Sequence, residues 1–448
     1  MKSFSNLFVI PHAALKFLVV FTFVYGLGTG SAHGFSLDDI ILGMGNGSTM
    51  GQLLVRDDPG LAPAPGSPPS GTNFSSISAV AQLSSGNIVV GVNNGSMGQL
   101  FVRQPDSTLS PAPGSPPGGA AFGPITSLAV MDNDNIVVGV NNGSNGQIFV
   151  RDPITLDPAI NTPPSGTTLG PVFDIDVLSN NNIVVGVNNG SNGQLLVRDP
   201  VSLAPATGTP GGGTVLGLIT QVAVNSLDQI AVGTNEGGTH GQLLLREGSG
   251  GLGPVAGTPG GGTILGPIYS LAIQSDDDIA VGTSNSLLLR QGSGDLAPVA
   301  GTPGAGTLFG QPVTALAIQS DDDIAVGLTA PSNGQLLHRE GSGGLGPAAG
   351  SPPGGTVFSH GVTALASFYL PSLGLEGDYN GDQVVNAADF TIWSDGQSPD
   401  SSAAGYALWA DNFNNSAGST SAGAVPEPTA LLLALLGLAA VLLRVPRG

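Results

Sequence analysis

Residues 134–153 read D-N-I-V-V-G-V-N-N-G-S-N-G-Q-I-F-V-R-D-P, and this stretch decides the fold. It is an apolar run, a turn of Asn, Gly and Ser, and a second apolar run closed by Arg151. Asn-Gly between two apolar runs is a strong hairpin signal. The pattern returns as NIVVGVNNGSMGQLFVR around Gly91, NIVVGVNNGSNGQLLVR around Gly186 and QIAVGTNEGGTHGQLLLR around Gly233. Shorter versions surround Gly282 and Gly327, and an opening copy surrounds Gly43. From Gly43 through Gly139 to Gly327, the steps between the seven glycines are 48, 48, 47, 47, 49 and 45 residues. A fixed period of this length belongs to propellers and solenoids and outranks any local reading of secondary structure.

One repeat holds four strand-sized pieces. Residues 125–130 (ITSLAV) alternate and end in the turn Asp132-Asn133-Asp134. Residues 136–140 and 148–150 are continuous apolar runs, which suits inner strands covered on both faces by neighbouring blades. Residues 156–162 contain Pro158, and proline is tolerated only at sheet edges, so this piece is expected to be the outermost strand. The chain enters the repeats at a second strand, 39–42, and leaves with a lone first strand, 362–369. Those two incomplete ends add up to one blade. The expected fold is therefore all-β, a seven-bladed β-propeller whose last strand pairs with its first. A linear β-solenoid is the alternative, and it calls for polar end caps that the sequence lacks.

The chain of 448 residues carries 11 basic against 31 acidic side chains, a formal charge of −20. Lys2, Lys16, Arg444 and Arg447 lie in the terminal segments, so the seven remaining basic residues are all arginine. Such a chain repels a phosphate backbone, which argues against a nucleic-acid partner. The absence of cysteine excludes disulfides and thiolate metal sites. Each repeat ends its third strand in one arginine: Arg56, Arg103, Arg151, Arg198, Arg246, Arg290 and Arg339. Two readings of that ring stand open. It is an anion-binding circle matched to the carboxylates of an acidic polysaccharide, or a set of inter-blade ion pairs with acids such as Asp152, Asp199 and Glu247. The turns Asp276-Asp277-Asp278 and Asp321-Asp322-Asp323 are likewise calcium contacts or solvated hairpin turns.

No enzymatic motif stands out. His240, His338 and His360 fall at unrelated phases of the repeat, and G-x-S-x-G, H-E-x-x-H and a phosphate loop are all missing. The axis of a propeller can bring distant carboxylates together, which leaves glycan hydrolysis or elimination as the enzymatic alternative.

After residue 371 the composition changes. Residues 378–389 read D-Y-N-G-D-Q-V-V-N-A-A-D. Side-chain oxygens fall at loop positions 1, 3, 5, 9 and 12, and Val384 offers a backbone carbonyl at position 7, the spacing of a calcium loop. This stretch resembles a dockerin repeat, whose loop ends in Asp where an EF-hand has Glu. The resemblance implies one Ca2+ held by Asp378, Asn380, Asp382, Val384, Asn386 and Asp389. The sequence departs from the pattern at position 6, where Gln383 replaces glycine, and in having a single loop, which weakens any expectation of a cohesin partner. The aromatic pairs Phe390/Trp393 and Tyr406/Trp409 recur at i, i+3 and read as two short helices packing together.

Both ends carry targeting signals. Residues 1–32 have a positive leader, an apolar run at 17–27 and the small residues Gly30-Ser31-Ala32, as a cleaved secretory signal does. At the other end come Pro426-Glu427-Pro428, an apolar run at 430–443, and Arg444 with Arg447. This tail resembles the PEP-CTERM sorting signal of exported bacterial proteins, which implies processing by a membrane-embedded exosortase. A permanent single-span anchor is the alternative, although 14 apolar residues make a thin span. The expected plan is a signal peptide at 1–32, a propeller at 33–371 and a small helical calcium module at 372–415. A linker at 416–424 and a sorting tail with a hydrophobic helix at 425–448 complete it. The expected function is a non-enzymatic binding or scaffold protein of the cell surface or extracellular matrix, whose partner is a polysaccharide or another surface protein. Membrane contact is then transient, through the C-terminal helix.

Overall fold

In the computed structural model, residues 38–368 are described apart from 46–49, 66, 237–239 and 331–332, and beyond them only 385, 387–394, 409–410 and 413. The chain divides into two units, Met1–Tyr369 and Leu370–Gly448. The described part of the first unit consists of seven four-stranded antiparallel sheets. It is a seven-bladed β-propeller. The third blade, for example, runs through Ile125–Val130, Ile136–Asn141, Gly146–Arg151 and Thr167–Leu169. Its two middle strands are buried on both faces because the adjoining blades cover them. The core lies between blades: Val89, Leu100 and Val102 of the second blade form one cluster with Ile125, Val138 and Phe149 of the third.

The repeating glycine marks where two blades touch most closely. A Cβ added at Gly139 would lie 2.9 Å from Val172 Cγ1, and one at Gly186 would lie 2.7 Å from Ile219 Cγ2. A β-branched residue opening the next blade's first strand therefore rests on a bare Cα. That close approach explains why the glycine recurs with the period of the fold.

Ring closure follows the expected pairing of last strand with first. The strand Gly361–Ser367 pairs with Ile40–Gly45, with Ile40 opposite Ser367 and Leu42 opposite Leu365. Asp38 N donates to Phe368 O at 2.9 Å and Phe368 N to Asp39 O at 2.6 Å. The corresponding bonds within the third blade, Asp134 N to Met131 O and Met131 N to Asn135 O, close a continuous turn. The first blade is thus a hairpin cut at its turn and held by the same two bonds.

The outer edge corrects one expectation. The fourth ladder strand is the short Thr167–Leu169, which pairs with Gly146 to Ile148. The proline segment also lies along this edge, but it makes a single bridge, Arg151 to Pro158. The segment turns away after Ala159, where Thr162 N donates to Ala159 O, and within the connecting turn Leu156 adopts φ 61° and packs into the core with 3% exposure. Leu61, Leu109, Leu203, Leu252, Leu296 and Leu345 do the same in the other blades. A left-handed leucine costs about 1–3 kcal/mol, and burying its side chain returns about 1.5–3 kcal/mol. Packing can therefore hold the strained turn.

In the second unit a helix spans Ala387–Ser394. Phe390 packs on Trp409 with ring centroids 4.9 Å apart, and Trp409 meets Phe413 at 5.1 Å. The aromatic contact between the two echoing segments is therefore present.

Candidate functional site

The arginines sit in the seams between blades. Arg56, Arg246, Arg290 and Arg339 are buried, and the other three are half-buried. The guanidinium of Arg246 donates to Gly260 O at 2.9 Å and that of Arg290 to Gly304 O at 2.9 Å. Others stack on a phenylalanine of the preceding blade's outer edge: Arg103 on Phe74 at 5.1 Å, Arg151 on Phe122 at 5.0 Å and Arg56 on Phe358 at 5.2 Å. Among the described residues none of the seven makes an ion pair with a carboxylate. The expected pairing with Asp152 and Asp199 is absent because those carboxylates accept N–H groups within their own turns, from Ile154 and Thr155 and from Val201 and Ser202. Desolvation holds every one of these guanidinium groups below its usual pKa. For every arginine but Arg198, cation–π stacking or a carbonyl contact carries the packing role that an ion pair was expected to fill.

The acidic turns also hold blade to blade. Asp277 accepts from Ser226 N at 2.9 Å, and Asp322 from Ser275 N at 2.7 Å and its hydroxyl at 2.6 Å. Asp134 with Ser84, Asp228 with Ser179 and Asp38 with Ser320 repeat the motif, and Asn181 fills the acceptor position opposite Asp132. The second blade has Gly86, at φ 81°, where the others have this side chain. The described clamps therefore span six of the seven seams and omit the one between the first and second blades. The left-handed turn position suits Asp and Asn, whose short side chains tolerate it.

The axis is where the blades differ. A channel cavity of about 160 Å3 is walled by all seven innermost strands, including Ala79, Ser127, Asp174, Gln221, Ser270 and Ala315. Two residues further along each strand stand Ala81, Ala129, Ala223, Ala272, Ala317 and Ala366, but the fourth blade has Asp176. That blade alone places two carboxylates on one face of its inner strand, with their Cα atoms about 7 Å apart by strand geometry. Asp174 lines the cavity, and both carboxylates are half-buried between the surrounding blades. Asp174 accepts from the Ser127 hydroxyl at 2.6 Å and from Val222 N at 2.8 Å. Asp176 accepts from Val177 N at 2.8 Å and Val224 N at 2.7 Å. Burial pushes Asp174 up to about 7 against the pull of those bonds, and the charge of Asp176 adds to the rise. Burial pushes Asp176 up to about 6. The sequence signal for this pair was the motif V-F-D-I-D-V at 172–177, a departure from an alanine column rather than a motif in itself.

A second irregularity lies at the ring's closing seam. His338 occupies a position filled by Val55, Val102, Val150 and Val197 in other blades, with 2% exposure. Its Nδ1 lies 3.0 Å from Asp58 Oδ1 and its Nε2 3.7 Å from Asp323 Oδ2. Burial raises the pKa of both carboxyl groups, and the His338 charge opposes the rise in each.

The expected calcium ligands Asp378, Asn380, Asp382, Val384 and Asn386 lie outside the described residues, as do Pro426, Glu427, Pro428, Arg444 and Arg447. Of Asp389 only the helical backbone is described. Among the described residues no group of His, Asp or Glu is arranged to hold a metal ion, and no helix is long and apolar enough to cross a membrane.

No family model matches the chain, and no curated protein matches it. Several solved structures share the propeller arrangement. One is a Bacteroides uniformis protein provisionally assigned as a 6-phosphogluconolactonase, at 9% identity and TM-score 0.49, covering 74% of this chain and 99% of that one. Another, from Lactobacillus plantarum, has 13% identity and TM-score 0.43 over 72% of this chain and 99% of that one. The WD40 repeats of RRP9 give 11% identity and TM-score 0.42 over 65% and 83%. These likenesses concern the arrangement of strands alone.

Proposed function

We propose that this chain is an exported binding or scaffold protein of the cell surface or extracellular matrix, without enzymatic turnover. Its propeller is the display platform. The observation that carries the reading is at the axis, where polar groups are taken up in holding blades together. Thr126 donates to Val172 O, Ser270 to Val313 O, Thr314 to Val362 O and Thr363 to Ile77 O, and Asp174 binds Val222 N. A wall bonded to itself in this way is a rigid support. The loop at 378–389 binds one Ca2+ in this reading, and an exosortase-type enzyme that recognises the tail with its Pro426-Glu427-Pro428 motif processes it while the apolar run 430–443 holds the chain at the membrane. A polysaccharide or another surface protein is the partner.

The Asp174–Asp176 pair favours a second reading, a glycan hydrolase or lyase, because two carboxyl groups with raised pKa values on one strand face suit acid–base chemistry. Assaying the purified chain for release of reducing or unsaturated ends from extracellular polysaccharides separates the two readings. The scaffold reading expects none, and release that disappears in Asp174→Asn establishes the enzyme. Intact-mass analysis of the protein recovered from producing cells tests export. Loss of residues near 1–32 and of the tail is expected, and a full-length intracellular chain overturns this part of the proposal.

A further inference from the structure

Each blade's first strand bulges at one residue, between Val172 and Asp174 in the fourth blade and between Ile268 and Ser270 in the sixth. In five blades the bulged residue is a hydroxyl that donates to a nearby carbonyl: Ser78, Thr126, Thr220, Thr314 and Thr363. The other two blades place Phe173 and Tyr269 there, exposed by 40% and 39%. Each ring stands where its counterparts are small hydroxyls and leaves about two fifths of its surface in solvent.

Beside Phe173 opens a cavity of about 480 Å3, bounded by Asn188, Leu218, Ile219, Thr220 and Asn235. Its size is that of a small-ligand site. The Asn188 amide is fully engaged, accepting from Ile219 N and donating to Ile219 O, both at 2.8 Å. Asn235 stands at the same place one blade further on, and its Oδ1 is buried and accepts no hydrogen bond among the described residues. A buried acceptor left without a donor is costly, and a ligand hydroxyl would satisfy it. No basic side chain lines this cavity, and the repeat arginines stand at the far ends of the third strands, engaged in the seams. An anionic ligand would find no counter-charge here.

We propose that this cleft binds an uncharged, hydroxyl-bearing ring, a neutral hexose unit of a glycan chain. The sugar's C–H face lies on Phe173 over the aliphatic floor of Leu218 and Ile219, and a turn of the Asn235 side chain into the cleft lets its Oδ1 accept from one of the hydroxyls. Tyr269, at the equivalent place two blades along, offers a second ring face to a longer chain. The inference rests on the binding-scaffold reading and gives it a site and a ligand class.

The test is calorimetric titration of the full chain with cellohexaose and mannohexaose, and with hexaguluronate as the acidic comparison. At least one neutral hexasaccharide is expected to bind. Phe173→Ala should weaken it about tenfold, and Phe173→Tyr, which retains the ring face, should not. Asn235→Ala should weaken it without lowering the unfolding midpoint, which separates a ligand contact from a packing role. Ile160→Ala, at an 86% exposed position away from the cleft, should change nothing. No binding of either neutral sugar overturns the site, as does binding indifferent to Phe173→Ala. Binding of hexaguluronate alone, untouched by these substitutions, removes the site and leaves the scaffold reading standing.

Discussion

Replacing Asp174 with Asn removes the axial charge that the fold resists most. Burial raises this carboxyl from 3.8 to about 7. A raised carboxyl is protonated in the folded chain over a range where the unfolded chain has already lost its proton. The stability it permits is complete below about pH 3.8 and is lost as pH rises to about 7. Three pH units at 1.36 kcal/mol each give a loss of about 4 kcal/mol, an upper figure because the channel admits water. Asn keeps an acceptor for the Ser127 hydroxyl but cannot satisfy Val222 N as well, a cost of about 1 kcal/mol at every pH. The informative quantity is therefore the change in the gap between wild type and variant. Urea unfolding of both at pH 4.5 and pH 8 should show the variant gaining about 2–4 kcal/mol on the wild type between the two conditions. Unfolding curves whose separation is the same at both pH values would refute the burial argument.

Other perturbations follow from the seams. Gly186→Ala places a methyl 2.7 Å from Ile219 Cγ2 and should cost about 1–3 kcal/mol in denaturant unfolding. Gly190→Ala, at φ 70° with nothing within 4 Å, should cost only about 1 kcal/mol of backbone strain. Asp228→Ala removes the acceptor of Ser179 N and Oγ, at 2.7 and 2.6 Å, and should cost about 1–2 kcal/mol with faster amide exchange at Ser179. His338→Val restores the side chain of neighbouring blades but removes the imidazole whose Coulombic pull lowers the Asp58 carboxyl, so an NMR titration should find the Asp58 pKa higher than in wild type.

The propeller was legible because its cause is periodic. Each blade needs a bare Cα under the next blade's Ile or Val, and that need writes glycine into the chain at every turn of the ring. Closure was legible too, since the phase of the first and last strands reports where the hairpin is cut. The outer edge was not. Pro158 pointed correctly to an edge, but the left-handed turn at Leu156 depends on burial by residues far away in sequence. The arginines misled for a similar reason, because their carbonyl partners and the phenylalanines of the preceding blade meet them only after folding. Asp174 and Asp176 were hidden by the strength of the repeat itself. With seven near-copies, what distinguishes one blade lies in its departures, here Asp176 among six alanines and Phe173 among hydroxyls.

The claim that this propeller binds rather than turns over its ligand is tested most directly by the heat trace on injecting extracellular polysaccharide into the full chain. Binding gives pulses that return to baseline and diminish to saturation. That is the predicted trace, with Asp174→Asn and Asp176→Asn leaving it unchanged. A sustained heat flow proportional to enzyme, abolished by either substitution, would contradict the account and make the axial carboxylates catalytic.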